Sequence, residues 1–301
     1  MTTTPLRLGF LIEPLAFAFE NARLEPVANH AEQRVLFAKQ CNKDGFFYPP
    51  QTAMYRIRAD GTRGRRLTRT IRPAQAFHLP ASHTLSVKAP IAPAVPYSDS
   101  TFLLQAVAFI SGTRLQFEPW RIDGRVPSQS TLGASIPANV HGHFVERAYD
   151  WWRALPNEHR IRSINLFHAY NRAASAEWDW DMFTQQYIVF DGLYRLHAEI
   201  IGMKKDVGHR KRFDLLTTAY DVPTDTKIVD LLYKARNDLF HEAIWAGSMM
   251  GYAPAAPDSV QYPRHLRRLN SRLLCAITGY RNTFTRSVWW AMGSFNFSRA
   301  V

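Results

Sequence analysis

The rhythm of apolar and polar positions changes near residue 140. Before it, short β-prone runs recur, among them Arg34–Ala38, Met54–Arg58 and His83–Val87. Turn signals separate them: Lys43-Asp44-Gly45, Ala59-Asp60-Gly61 and the proline-rich stretch Ala89–Pro96. One helix is predicted in this half, over about Ser100–Ile110, closed by Ser111-Gly112. From Phe144 onward apolar residues recur at three- and four-residue spacing. That spacing predicts helices over Phe144–Leu155, Ile161–Ala174, Trp180–Ile201, Phe213–Tyr220, Thr226–Met249 and Arg264–Gly279, and a last one from Thr283. Asp179 and Thr224 suit helix N-caps, and Gly202 and Gly279 suit C-terminal stops. The segment Gly247–Pro263 reads as a loop. The pattern predicts an α+β chain in two parts, a β-rich N-terminal domain over 1–140 and an all-α helical bundle over 141–301. Their boundary is expected in Thr131–Gly142, a stretch of Gly, Pro and Ser.

Composition narrows the class. The chain has 301 residues, 46% hydrophobic and 21% charged, which excludes a disordered chain and leaves material for a sizeable core. The formal charge is +12, and arginine outnumbers lysine 29 to 8. Guanidinium groups suit phosphate and stack on bases, so a nucleic-acid partner is one reading. A generally arginine-rich proteome is the other. Cys41 and Cys275 show no metal-ligand spacing and no disulfide framework, which fits a reducing compartment. The apolar stretch Leu8–Phe19 is interrupted by Glu13 and Pro14 and is a poor secretory signal. No run approaches the ~18 apolar residues of a membrane span. A cytoplasmic protein without a membrane partner is expected.

Several local features have competing readings. Seven arginines (56, 58, 63, 65, 66, 69 and 72) are opposed only by Asp60. Arg63, Arg65, Arg66 and Arg69 are the RNA-binding candidates of a phosphate-tracking ribbon. The same charges also suit a solvated hairpin edge protected from pairing. His141-Gly142-His143 has no third ligand at useful spacing and reads as linker, so no metal site is expected. The tryptophan pairs Trp151-Trp152, Trp178-Asp-Trp180 and Trp289-Trp290 read as packing. No phosphate-binding glycine loop, nucleophile elbow or zinc-protease motif occurs.

The informative stretch is Leu-Leu-Tyr-Lys-Ala-Arg236-Asn237-Asp-Leu-Phe-His241-Glu-Ala, over 231–243. An Arg and a His at this spacing arise about once by chance in such a chain, but Asn directly after the Arg makes the match far rarer. Arg153…His159 spans Pro156, and Arg162…His168 lacks the Asn. Helical spacing puts Ile228, Leu232, Ala235, Leu239, Ala243 and Ala246 on one buried stripe. Asn237 and His241 share the opposite face, with Arg236 on the flank. That second face also carries Tyr233, Phe240, Ile244 and Trp245. It is too apolar for bare solvent, so either a second copy of the chain or another helix is expected to cover it.

The stretch resembles the signature of the HEPN superfamily, an Arg separated from a His by a few residues, often with Asn after the Arg. The resemblance covers roughly 144–285 and implies a helical bundle with the motif on a late long helix. With a β-containing domain ahead of it, the chain is similar to the ApeA-like group. The resemblance implies a metal-independent endoribonuclease without cofactor, acting as a homodimer through the motif helix, with Arg236, Asn237 and His241 in a composite site. It implies cleavage of RNA to 2′,3′-cyclic phosphate and 5′-hydroxyl ends, in phage defence or as a toxin. The N-terminal domain would then sense a trigger or restrain the nuclease, with a regulatory protein as a further partner. The alternative left open is a noncatalytic RNA-binding or assembly protein.

The residue types fit that chemistry. His can take the 2′-hydroxyl proton or protonate the leaving 5′-oxygen. Arg can hold the scissile phosphate and its growing charge. Asn can orient either. An acidic residue on a neighbouring helix, Glu199 or Asp191, is expected to position Arg236 or His241.

Overall fold

The computed structural model describes residues 5–52, 55–66, 72–88, 90, 98–204, 206–245, 261–291 and 295–300. The chain is α+β, with small antiparallel sheets followed by helices. The main sheet has five strands in the order Gln116–Phe117, Leu6–Gly9, His83–Val87, Ala22–Pro26, Phe17–Phe19, all antiparallel. His83–Val87 forms where predicted. Its alternate residues His83, Leu85 and Val87 are buried, and Leu85 pairs with Leu24 and Leu6 across the sheet. The strand Tyr55–Ile57 also forms within its predicted run and pairs with Arg63–Arg66 through the turn at Ala59-Asp60-Gly61.

Arg34–Ala38, expected as a strand, lies instead within helix α1, His30–Gln40. A short apolar run fits either state. Here its flanks, Ala31-Glu32-Gln33 and Lys39-Gln40, are good helix formers. Only His30 and Phe37 are buried on α1. Phe37 stacks between Phe10 (4.3 Å) and Phe47 (4.9 Å) in a small separate core with Phe77 and Val126.

Helix α2 (Asp99–Ser111) matches its prediction and is buried from Thr101 to Ile110. It is apolar nearly all round because it is covered on several sides: the sheet, α3 (Ala138–Ala154) and α4 (Asn157–Ala173). Ser98 caps its start and Gly112, at φ 64°, ends it. A Cβ on Gly112 would also lie 2.4 Å from Ser130 Oγ, so both the backbone and the space require glycine. The bundle continues with α5 (Asp179–Ile200), α6 (His209–Tyr220), α7 (Thr226–Glu242) and α8 (Gln261–Ile277). α5 is central and packs along α4 and α8, while α6 and α7 flank it.

Position 140 falls inside α3, and one core runs across it, from Leu8, Leu24 and Leu85 through α2 to Phe144, Tyr170 and Phe297. His141-Gly142-His143 is therefore helical, not linker. Gly142 lets α3 approach the strand Phe17–Phe19, where a Cβ would meet Phe17 at 2.7 Å. The predicted helix from Thr283 is also absent among the described residues. Asn282 Oδ1 accepts from Thr285 N–H (3.0 Å), diverting the backbone into turns, and Phe284 and Trp289 are buried without a helix. The chain then adds Phe295–Asn296 in parallel to Ala134–Ser135. The predicted loop Gly247–Pro263 lies mostly outside the described residues, and its end, 261–263, already belongs to α8.

Candidate active site

The motif lies on α7. Asp225, one residue after the expected Thr224, caps it by accepting from Ile228 N–H at 3.1 Å. At the start of α5 the offset is opposite: Trp178 occupies the cap position and Asp179 is the first helical residue. Val229, Leu232 and Ala235 of α7 are buried, and Ile228 and Leu239 pack beside them, so the expected stripe holds over these turns. It stops early. Ala243 takes the left-handed conformation (φ 56°), ends the helix seven residues before Met249, and is exposed. Ala246 lies outside the described residues. Trp245, expected on the second face with Asn237 and His241, is buried against Phe183 (5.3 Å). Phe240 and Ile244 remain exposed.

Arg236 joins the motif together. Its Nη1 donates to His241 Nε2 (2.7 Å) and to Asn237 Oδ1 (3.0 Å). Its guanidinium lies over Phe240 (5.4 Å) and Tyr187 (5.9 Å). A guanidinium only donates, so His241 Nε2 is the lone-pair nitrogen and the ring proton sits on Nδ1. His241 is exposed, and Arg236 and Asn237 are half-buried.

Of the two acidic residues expected in support, the structure brings in Asp191 and not Glu199. Asp191 reaches Arg236 through a residue that sequence reasoning missed, His209. Asp191 Oδ1 is 3.3 Å from His209 Nδ1, and Arg236 Nη2 is 3.3 Å from His209 Nε2. Arg212 Nη1 and Tyr187 Oη also lie 3.4 Å from that Nδ1, while on the other side Nε2 accepts from the Arg236 guanidinium. Burial holds His209 below its ordinary pKa; Asp191 opposes this, and the guanidiniums of Arg212 and Arg236 reinforce it. Arg212 bonds Asp191 at 2.9 Å and Asp206 at 3.1 Å, so it is neutralised. Glu199 lies two turns further along α5, about 12 Å away by helical rise. There it pairs with Arg162 and Arg195 and lies 3.5 Å from His159. That pairing occupies Arg162, so the competing Arg162…His168 pair forms no joint site. The only sequence signal for His209 is its place after Gly208 at the head of the basic run His-Arg-Lys-Arg.

The charge balance around Arg236 is the distinctive feature. Among the described residues it forms no ion pair: its acceptors are two imidazole nitrogens and an amide, and its Nε has no partner. The carboxylate that reaches it through His209, Asp191, is shared by His209 and Arg212. A positive charge is left uncompensated beside an exposed imidazole. A broad cleft of about 620 Å³ adjoins it along α6, lined by His209, Lys211 and Tyr233 among others.

Arg63, Arg65 and Arg66 lie on the hairpin strand Arg63–Arg66, and Arg69 lies outside the described residues. Arg56 and Arg58 are exposed. His143 bonds Tyr280 Oη (3.1 Å) and His141 bonds Pro137 O (3.3 Å). No cluster of three metal-ligating side chains occurs among the described residues. Of the tryptophans, Trp152 and Trp289 are buried while Trp178 is exposed. No helix among the described residues is long and apolar enough to cross a membrane. No protein-family model, curated protein or solved structure matches the chain.

Proposed function

We propose that this chain is a metal-independent endoribonuclease of the HEPN type, with Arg236, Asn237 and His241 as its catalytic residues. The observation that carries this reading is an arginine without a carboxylate partner among the described residues, hydrogen-bonded to an exposed histidine. An RNA phosphate would take the free charge of Arg236 through Nη1. That exchange would release the His241 Nε2 lone pair, now held by Nη1, to accept the 2′-hydroxyl proton. The 2′-oxygen then attacks phosphorus and the P–O5′ bond breaks. The leaving oxygen takes a proton from a second acid, and the products are a 2′,3′-cyclic phosphate and a 5′-hydroxyl. A second copy of α7, docked on the exposed Phe240 and Ile244, would supply that acid as a second His241 in its protonated, imidazolium form, in the homodimer the resemblance implies.

The test is cleavage of mixed cellular RNA in EDTA by the wild type and by His241→Ala, with end-group analysis. Cyclic phosphate ends from the wild type, lost by at least a hundredfold in the variant while RNA binding persists, are expected. Equal RNA binding with cleavage by neither protein would favour the assembly-protein reading. Cleavage that survives in His241→Ala would remove the motif from the reaction.

A further inference from the structure

A second polar site lies away from α6 and α7, where the edge of the main sheet meets α4. Its centre is Gln116, on the edge strand. The side chain is 3% exposed, and neither its Nε2 nor its Oε1 has a hydrogen-bond partner among the described residues. The neighbouring amides differ: Asn171 Nδ2 donates to Gln105 O (3.0 Å) and Gln105 Oε1 (3.1 Å). A buried amide with donor and acceptor both unpaired is costly, whereas an apolar side chain of the same size would carry no such penalty. Gln116 lines a cavity of about 320 Å³ with Trp120, Arg121, His168 and Arg172. Arg114, also in its wall, and Arg172 share a single carboxylate, Asp123. Arg121 is exposed and enters no ion pair among the described residues. Three guanidiniums against one carboxylate leave the cavity positive.

We propose that this cavity binds a nucleoside monophosphate, with the Gln116 amide reading the base edge and Arg121 and Arg172 holding the phosphate. A primary amide offers a donor beside an acceptor, the complement of a base edge, and glutamine pairs with adenine bidentately in this way. Trp120 supplies an aromatic wall for the base. The volume is at the low end of small-molecule pockets and suits one nucleotide rather than a polymer. The site shares no residue with the α7 motif, so it stands whether or not the chain cleaves RNA. A ligand there would bridge the sheet edge and α4, and so would act on the packing between them.

The test is calorimetric titration of the full chain with the four ribonucleoside monophosphates, with nucleosides and inorganic phosphate as controls. Binding of a monophosphate is expected, weakened about tenfold by Gln116→Leu and by Arg121→Ala. Gln116→Leu is also expected to leave the melting temperature of the ligand-free protein unchanged or raised, because it removes an unpaired amide. Arg121→Ala, at an exposed position, tests the phosphate arm without touching the interior. No heat from any monophosphate at about 1 mM, or unaltered affinity in Gln116→Leu, would overturn the proposal. So would phosphate alone binding as tightly as the nucleotides, since the base would then contribute nothing.

Discussion

An arginine that bonds two imidazole nitrogens and no carboxylate needs those nitrogens as acceptors. His209 is the one whose protonation matters to the placement of Arg236, because a protonated ring has no acceptor for Nη2 and would face it as a second cation. Its pKa in the folded chain lies below the ordinary 6.5, from burial first and from Arg212 and Arg236 after it, with Asp191 opposing. As pH falls through 6.5 the unfolded chain therefore takes up the proton first, and stability is lost until the folded pKa is passed. His209→Gln keeps an acceptor and removes the titration. It is expected to flatten the loss of stability below pH 6.5 and the acid limb of the kcat profile while keeping near wild-type kcat. His209→Ala is expected to lower kcat about tenfold, the loss of one charged hydrogen bond. Equal kcat in both variants would leave His209 without a positioning role. The motif itself was legible because Arg236, Asn237 and His241 lie within two turns of one helix. Asp191 was legible only as an acid on a neighbouring helix. His209 was not legible, because it meets Arg236 across 27 positions and no local spacing records that meeting.

At the scale of elements, helices whose apolar stripe was long and regular were readable, and their ends were not. α2 and α5 formed within one residue of their expected bounds at either end, each followed by a left-handed glycine, Gly112 or Gly202, whereas α4 began four residues early, at Asn157. α7 ended early because a left-handed residue without glycine gives no sequence signal: Ala243 carries a Cβ into a conformation that favours Gly. α1 was misread because four apolar residues in a row are compatible with either period. Ala243→Gly is expected to stabilise the chain by about 0.5–1 kcal/mol, by relieving that Cβ while keeping the turn after His241. Urea unfolding measures it, with an unchanged denaturant slope. Destabilisation instead would mean that the lost entropy of glycine outweighs the relief, and that Ala243 is not held left-handed in solution.

At the scale of the molecule, the change of texture near residue 140 is real but does not divide the core. α2 comes from the strand-rich part of the chain and packs as a member of the bundle. Phe102 stacks on Trp152 (5.1 Å), and Phe109 meets Phe144 (5.5 Å), Phe167 (5.2 Å) and Tyr170 (5.1 Å). Strand texture shows where strands form and carries no record of which helix a sheet will cover, so this join was invisible in the sequence. Six large apolar side chains of α2 are buried completely: Phe102, Leu103, Leu104, Val107, Phe109 and Ile110. Their gross burial contributes on the order of 10 kcal/mol, comparable with the whole net stability of an ordinary domain, about 5–15 kcal/mol. Residues 141–301 alone would lose that helix, the whole pairing of Ala134–Ser135 with Phe295–Asn296, and the first turn of α3. The full chain is therefore expected to melt in one transition seen alike by far- and near-ultraviolet circular dichroism, with no separate helical step. The fragment 141–301 is expected to keep helical signal, lose its near-ultraviolet signal and bind a hydrophobic dye. A fragment that melts cooperatively near the temperature of the full chain would show instead that α3, α4 and α5 close their own core, and that α2 only rests upon it.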